Sequence, residues 1–207
     1  MSLDGLDGLG PEDSFADAPD RHRLVTSGVT SRVFDVDREV VGHIVMVEYD
    51  ETARDVAEAD ARALDGPSVL LRSSADCWHV YDLAVRPWRE VVDAARSTRC
   101  CPEYRAEQIE RERFALRTFP KIRRTGEVYR EAPEPVALFD GARGPVSRPH
   151  VVALQQLADE QGADAIAAGL DILAAKWGTT GRTLTQTDYE TRTDALAAVL
   201  DGRVDDV

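Results

Sequence analysis

Lysine is almost missing from this chain: of 25 basic residues only Lys121 and Lys176 are lysines, against 38 acidic residues and a net charge of −13. Long apolar runs are missing too. No stretch of eighteen or so uninterrupted hydrophobic residues occurs, and the start, MSLDGLDGLGPEDSF, has neither a basic leader nor an apolar centre. A membrane span and a secretory signal are therefore not expected, and the reading is a cytoplasmic chain. Cysteine is scarce and odd in number. Cys77, Cys100 and Cys101 do not have C-x-x-C spacing, which excludes a zinc knuckle and leaves three reduced, half-buried thiols.

What is abundant is acid. Asp and Glu in this excess, with almost no Lys, are the composition of proteins that live in molar salt, where screening within about 3 Å removes the self-repulsion of a large charge. The −13 then describes habitat, that of a salt-in halophile, and argues only weakly against a nucleic-acid partner. The charge is also uneven. From Arg96 to Arg130 ten basic residues face five acidic ones, so that segment carries +5 and the rest −18. A basic island in an acidic chain points to an anionic partner such as phosphate, the competing reading being internal ion pairing.

At 207 residues and 43% hydrophobic content the chain can bury one sizeable core. Residues 1–20 read as a disordered acidic arm. VTSRVFDVDREVVGHIVMVEYD reads as two strands turning near Asp37 to Glu39, and ETARDVAEADARALDG as a helix stopped by Gly66-Pro67. SVLLRSSADCWHVYDL is a hairpin, and PWREVVDAARS a helix entered through Pro87. Residues 107–119 give a polar helix or turn leading into a short strand, FALRTF. EVYREAPEPVALFD gives one or two edge strands broken by Pro133 and Pro135. Beyond a Gly and Pro cluster at 141–149 the pattern becomes helical, in HVVALQQLADEQ, ADAIAAGLDILAAKW and YETRTDALAAVL. The fold class is α+β: a mostly antiparallel sheet with helices on one face over residues 21–146, then a helical C-terminal part over 147–200.

Strand alternation places the chemistry. In IVMVEYD it sets Glu48 and Asp50 on one face, with Val45, Val47 and Tyr49 on the other. In CWHVYDL it sets Cys77, His79 and Tyr81 on one face and Trp78 and Val80 opposite. If helices cover the face of Val47, Tyr49, Trp78 and Val80, the carboxylates and the imidazole share an open face. Carboxylates at i and i+2 suit Mg²⁺ or Mn²⁺, hard cations that take oxygen ligands and keep waters for phosphates to displace. The plainer reading makes Glu48 a solvent-facing residue, Asp50 a helix cap and His79 a satisfied, half-buried histidine. Trp78 reads as core; Tyr81 could stack a base or serve as a cross-strand partner. Asp35 and Asp37 form a second-choice acid pair. His22, His43 and His150 are given no role.

These motifs resemble the archaeo-eukaryotic primase superfamily, including plasmid and viral primase-polymerases, over roughly residues 40–130. The first family motif, an apolar strand ending in two acids with one residue between and then a helix, is similar to VMVEYD together with the helix expected over 52–65. The second, a serine, a short turn and a histidine within a strand, is similar to RSSADCWHVYDL. An arginine-rich stretch with Pro, a basic residue and a Thr-Gly turn resembles FALRTFPKIRRTG. The resemblance implies an RNA-recognition-motif-like core and metal-dependent nucleotidyl transfer in DNA replication. Glu48, Asp50 and His79 would be catalytic, with Glu48 and Asp50 on the metal. Ser73, Ser74, Arg117 and Lys121 would hold the nucleoside triphosphate, with DNA or RNA as partner. Two departures stand out. Glu48 replaces the family's usual Asp, and the third acid has no convincing match, Asp82, Asp93 and Glu103 being the candidates. Without it the chain could be an inactive descendant that binds nucleotide or DNA. The alternative class is a non-enzymatic DNA-binding or regulatory protein working through its C-terminal helices, or an interaction protein with no chemistry.

Overall fold

Two ten-residue strands, β3 (Val40–Tyr49), half of it β-branched, and β5 (Cys77–Arg86), pair antiparallel at the centre of the molecule. The computed structural model describes residues 24–123 and 128–182. β5 also pairs with β4 (Ser68–Ser74) through a turn made by Ala75 and Asp76 alone, Ser74 facing Cys77. Asp76 takes φ 53°, the left-handed conformation that aspartate tolerates better than most residues. On the outer side of β4 lies β8 (Glu134–Phe139), an edge strand, which is why Pro135 can sit inside it. On the outer side of β3 lies β2 (Arg32–Phe34). The short strands β9 (Val146–Ser147) and β10 (Thr179–Thr180) extend the sheet, β9 beside Ala84 of β5.

A second antiparallel sheet was not expected from the sequence. Its order is β1 (Leu24–Thr30), β6 (Ala115–Arg123), β7 (Val128–Arg130). A Cβ on Gly28 would lie 2.3 Å from the Leu116 carbonyl, so only glycine lets β1 approach β6 this closely.

The helices are α1 (Arg54–Ala63), α2 (Trp88–Ser97), α3 (Pro102–Glu110), α4 (Arg148–Glu160) and α5 (Asp164–Trp177). α1 covers the face of Tyr49 and Trp78. The Tyr49 hydroxyl donates to Asp60 of α1 at 3.1 Å, and the Trp78 indole donates to the Thr52 carbonyl at 2.8 Å. The opposite face is covered as well. Tyr81 reaches the Arg117 carbonyl of β6 at 3.3 Å, and Gly169 of α5 lies against Leu138 of β8. The expectation of helices on one face and an open face opposite is thus corrected. Val45, Met46, Val47, Val80 and Tyr81 are all fully buried, whichever side they point to. The covering layer comes from β6 and α5, distant in sequence from the strands they shield. Tyr81 is core and unavailable for stacking, and Trp78 is core as expected.

Other boundaries move. α3 begins at Pro102, five residues before the expected polar helix, and β6 runs on through Pro120. α4 and α5 match two of the expected helices; the third, YETRTDALAAVL, and the N-terminal arm lie outside the described residues. Among the described residues no helix is long and apolar enough to cross a membrane. Cys100 is buried rather than half-buried, and all three cysteines are free.

Candidate functional site

The register of β3 against β5 puts Glu48 directly opposite His79. Their side chains meet, with His79 Nε2 3.5 Å from Glu48 Oε1. His79 is 1% exposed, whereas the Glu48 side chain keeps 29% of its surface in solvent. On β4, Leu71 faces His79, and Ser73, where the β4–β5 register shifts, borders the same pocket as His79. Arg117 enters from β6. Its guanidinium donates to the Ser73 carbonyl at 2.6 Å, the Glu131 carbonyl at 2.5 Å and the Phe119 carbonyl at 3.4 Å. Glu48, Ser73, His79, Arg117 and Arg130 border one pocket of about 160 Å³, closed by Ala115 and Leu116.

The electrostatics of this pocket are unbalanced. Burial holds the His79 imidazole below its ordinary pKa, and the pull of Glu48 in the other direction only offsets part of that. The ring is neutral at neutral pH, its Nε2–H directed to Glu48. Its Nδ1 is buried with no hydrogen-bond partner among the described residues. Burial, then repulsion from Arg130, pushes Arg117 down to about 10, so it remains charged. Its hydrogen bonds to described residues end on neutral carbonyls. A buried cation held that way is stabilised further by an anion.

Beside this pocket lies a cleft of about 370 Å³ that shares Ser73 and Arg130 with it and is lined also by Arg72, Ser74, Glu134 and Gln161. Of the expected phosphate-binding residues, Ser73 and Arg117 line the first pocket and Ser74 the second. Lys121 lies in β6 opposite Arg130, its side chain outside the described residues. Arg130 was counted in the basic island but not singled out, because its strand is only three residues long and carries no readable period. The rest of the island divides between both readings. Arg99 pairs with Asp60 at 2.7 Å and Arg111 with Glu107 at 2.6 Å, while Arg117 and Arg130 face the pocket.

Asp50 is exposed just beyond β3, near enough for its charge to act on His79. It does not cap α1, whose N-cap is Ala53 with no side-chain cap hydrogen bond. The plain cap reading therefore fails for this residue. None of the third-acid candidates lines the pocket. Asp82 points to the opposite face, fully buried against Arg86 at 2.5 Å. Asp93 is exposed on α2, and Glu103 accepts from the Cys101 thiol. Asp35 accepts the backbone N–H groups of Asp37 and Glu39, each at 2.9 Å, and so builds the β2–β3 turn, which accounts for the second acid pair. Among the described residues no group of three His, Cys, Asp or Glu is set to hold a metal ion. Of the two expected metal ligands, Glu48 borders the pocket and Asp50 is not among its described lining. Carboxylate oxygens are the donors a hard cation takes, and two of them without a third acid do not make a two-metal clamp.

His43 and His150, given no role, are structural. Burial lowers each to about 4. His150 Nε2–H donates to the Thr30 carbonyl at 2.7 Å, and its Nδ1 accepts from the Ser147 hydroxyl at 2.6 Å, tying α4 to β1.

Comparison of the chain with family models, with curated proteins and with solved structures finds no match.

Proposed function

We propose that this chain is a primase-like nucleotidyltransferase domain built on an RNA-recognition-motif-like core, joining nucleotides from nucleoside triphosphates to a DNA or RNA strand. One observation carries the reading: Glu48, Ser73, His79 and Arg117, each from a different strand, border the same pocket. The charged wall of Arg117 and Arg130 is suited to the phosphate chain, whose oxygens supply the negative countercharge that neutral carbonyls lack. Glu48 and Asp50 would hold Mg²⁺ or Mn²⁺, which supplies neutralisation of phosphate charge. Glu48 also fixes the His79 ring, and the ring's burial keeps water from that side of the pocket.

A second reading, an inactive descendant that binds nucleotide without transferring it, is favoured by the lack of a third acid among the described pocket residues. Labelled nucleotide incorporation on primed and unprimed templates, with Mn²⁺ at molar salt, separates the two. Incorporation by wild type that falls at least ~100-fold in Glu48→Ala and Asp50→Ala supports transfer, a loss typical of removing a group that stabilises developing charge. Equal incorporation by wild type and both variants removes the site, and nucleotide binding without incorporation selects the inactive descendant.

A further inference from the structure

The pocket around Arg117 is small. Its 160 Å³ equals roughly five waters at about 30 Å³ each. That accommodates phosphate groups but not a nucleoside with them. The neighbouring cleft, at 370 Å³, falls within the ~300–1,000 Å³ usual for small-molecule sites. The two cavities share a wall at Ser73 and Arg130, and Arg117 binds that wall from behind through the carbonyls of Ser73 and Glu131.

We infer that the cleft seats the nucleoside of the bound nucleotide and that Gln161 is a residue that hydrogen-bonds its base. The inference rests on the nucleotide reading of the first pocket and extends it. Four features of the cleft argue for it. Its described lining has no aromatic ring, so recognition there proceeds through hydrogen bonds rather than stacking. Gln161, the exposed C-cap of α4, offers an amide donor and acceptor on one group, the pattern that base edges complement. Glu134 is neutralised by its ion pair with Arg72, so it leaves an acceptor for sugar hydroxyls without repelling the phosphates. The Ser74 hydroxyl, beside the shared wall, adds a donor at the sugar-phosphate junction.

The test compares two probes, ATP and inorganic triphosphate, each with Mg²⁺ at molar salt, by calorimetry on the full chain. Wild type is expected to bind both, ATP more tightly. Gln161→Ala alters an exposed residue and is expected to weaken ATP roughly fivefold, the value of one lost hydrogen bond, and to leave inorganic triphosphate unchanged. Arg117→Ala is expected to weaken both probes roughly thirtyfold, the loss of a charged hydrogen-bonding group. Arg130→Ala, which leaves the Arg117 bonds to the wall intact, is expected to weaken both and stands in should Arg117→Ala fail to fold. If Gln161→Ala binds ATP like wild type while the arginine variants lose both probes, the nucleoside seat is overturned and the phosphate pocket stands. Should wild type bind neither probe, the nucleotide reading itself falls, and the seat with it.

Discussion

β3 and β5 present two faces, and both bury charged groups, but they treat them differently. On the face covered by α1, Asp82 accepts from Arg86 at 2.5 Å and from the backbone of Ala84 and Gly66, at 3.0 and 3.2 Å. Asp60 there accepts from the Tyr49 hydroxyl and from the backbone and side chain of Arg99. Every oxygen of both carboxylates is used. On the other face His79 Nδ1 has no partner among the described residues and Arg117 rests on carbonyls, beside a pocket. A buried charge that is fully matched by its own chain is architecture. One that is matched only in part, next to accessible volume, is the stronger candidate for a place where something else binds.

That contrast can be broken by mutation. Asp82→Ala leaves the buried Arg86 guanidinium with only the exposed Asp65 carboxylate, at 2.6 Å, and is expected to cost about 3 kcal/mol in chemical denaturation at molar salt. Glu48→Ala, on the half-exposed side, is expected to cost less than about 1 kcal/mol. If the two losses are equal, the division of labour between faces is wrong.

Acid sharpens the same contrast. The buried rings of His43 and His150 titrate near 4 in the folded chain against 6.5 unfolded. The unfolded state thus takes up protons first, so their stabilisation is complete above pH 6.5 and lost as pH falls towards 4. Denaturation at pH 5 instead of 7.5 is expected to show about 2 kcal/mol less stability for each of the two, with His79 adding in the same direction. Unchanged stability across that range would show that these rings are not held neutral.

The smallest effect is the most local. Glu48→Gln removes the only carboxylate within 4 Å of His79 among the described residues, so the His79 titration observed by NMR is expected to move further down, with stability changed by no more than about 0.5 kcal/mol. A titration that stays put means that the two side chains do not pair.

Much of this arrangement was legible in residue order. Alternation within β3 and within β5, together with the expectation that helices cover Tyr49 and Trp78, put Glu48 and His79 on one face, and the β3–β5 pairing is regular over that stretch, from Val45 to Tyr49. The layer above them was not legible. β1 reads as polar and is interrupted by Gly28. β6 contains Pro120, which looks like a strand end but lies in an irregular stretch where the pairing with β1 shifts. Both strands are set by partners some ninety residues apart rather than by local preference. Arg130 escaped for the same reason, and Asp50 was weighed as a cap because α1 starts later than its composition suggests.

The outer edge of β3 is closed one carbonyl at a time. Ser31 accepts from the N–H of Ile44, the Tyr104 hydroxyl donates to the carbonyl of Met46, and the N–H of Cys101 donates to that of Glu48. At high ionic strength the −13 charge is screened and repulsion between neighbouring molecules weakens. Backbone groups taken up in this way leave another copy fewer partners along that edge of β3, whatever the ionic strength.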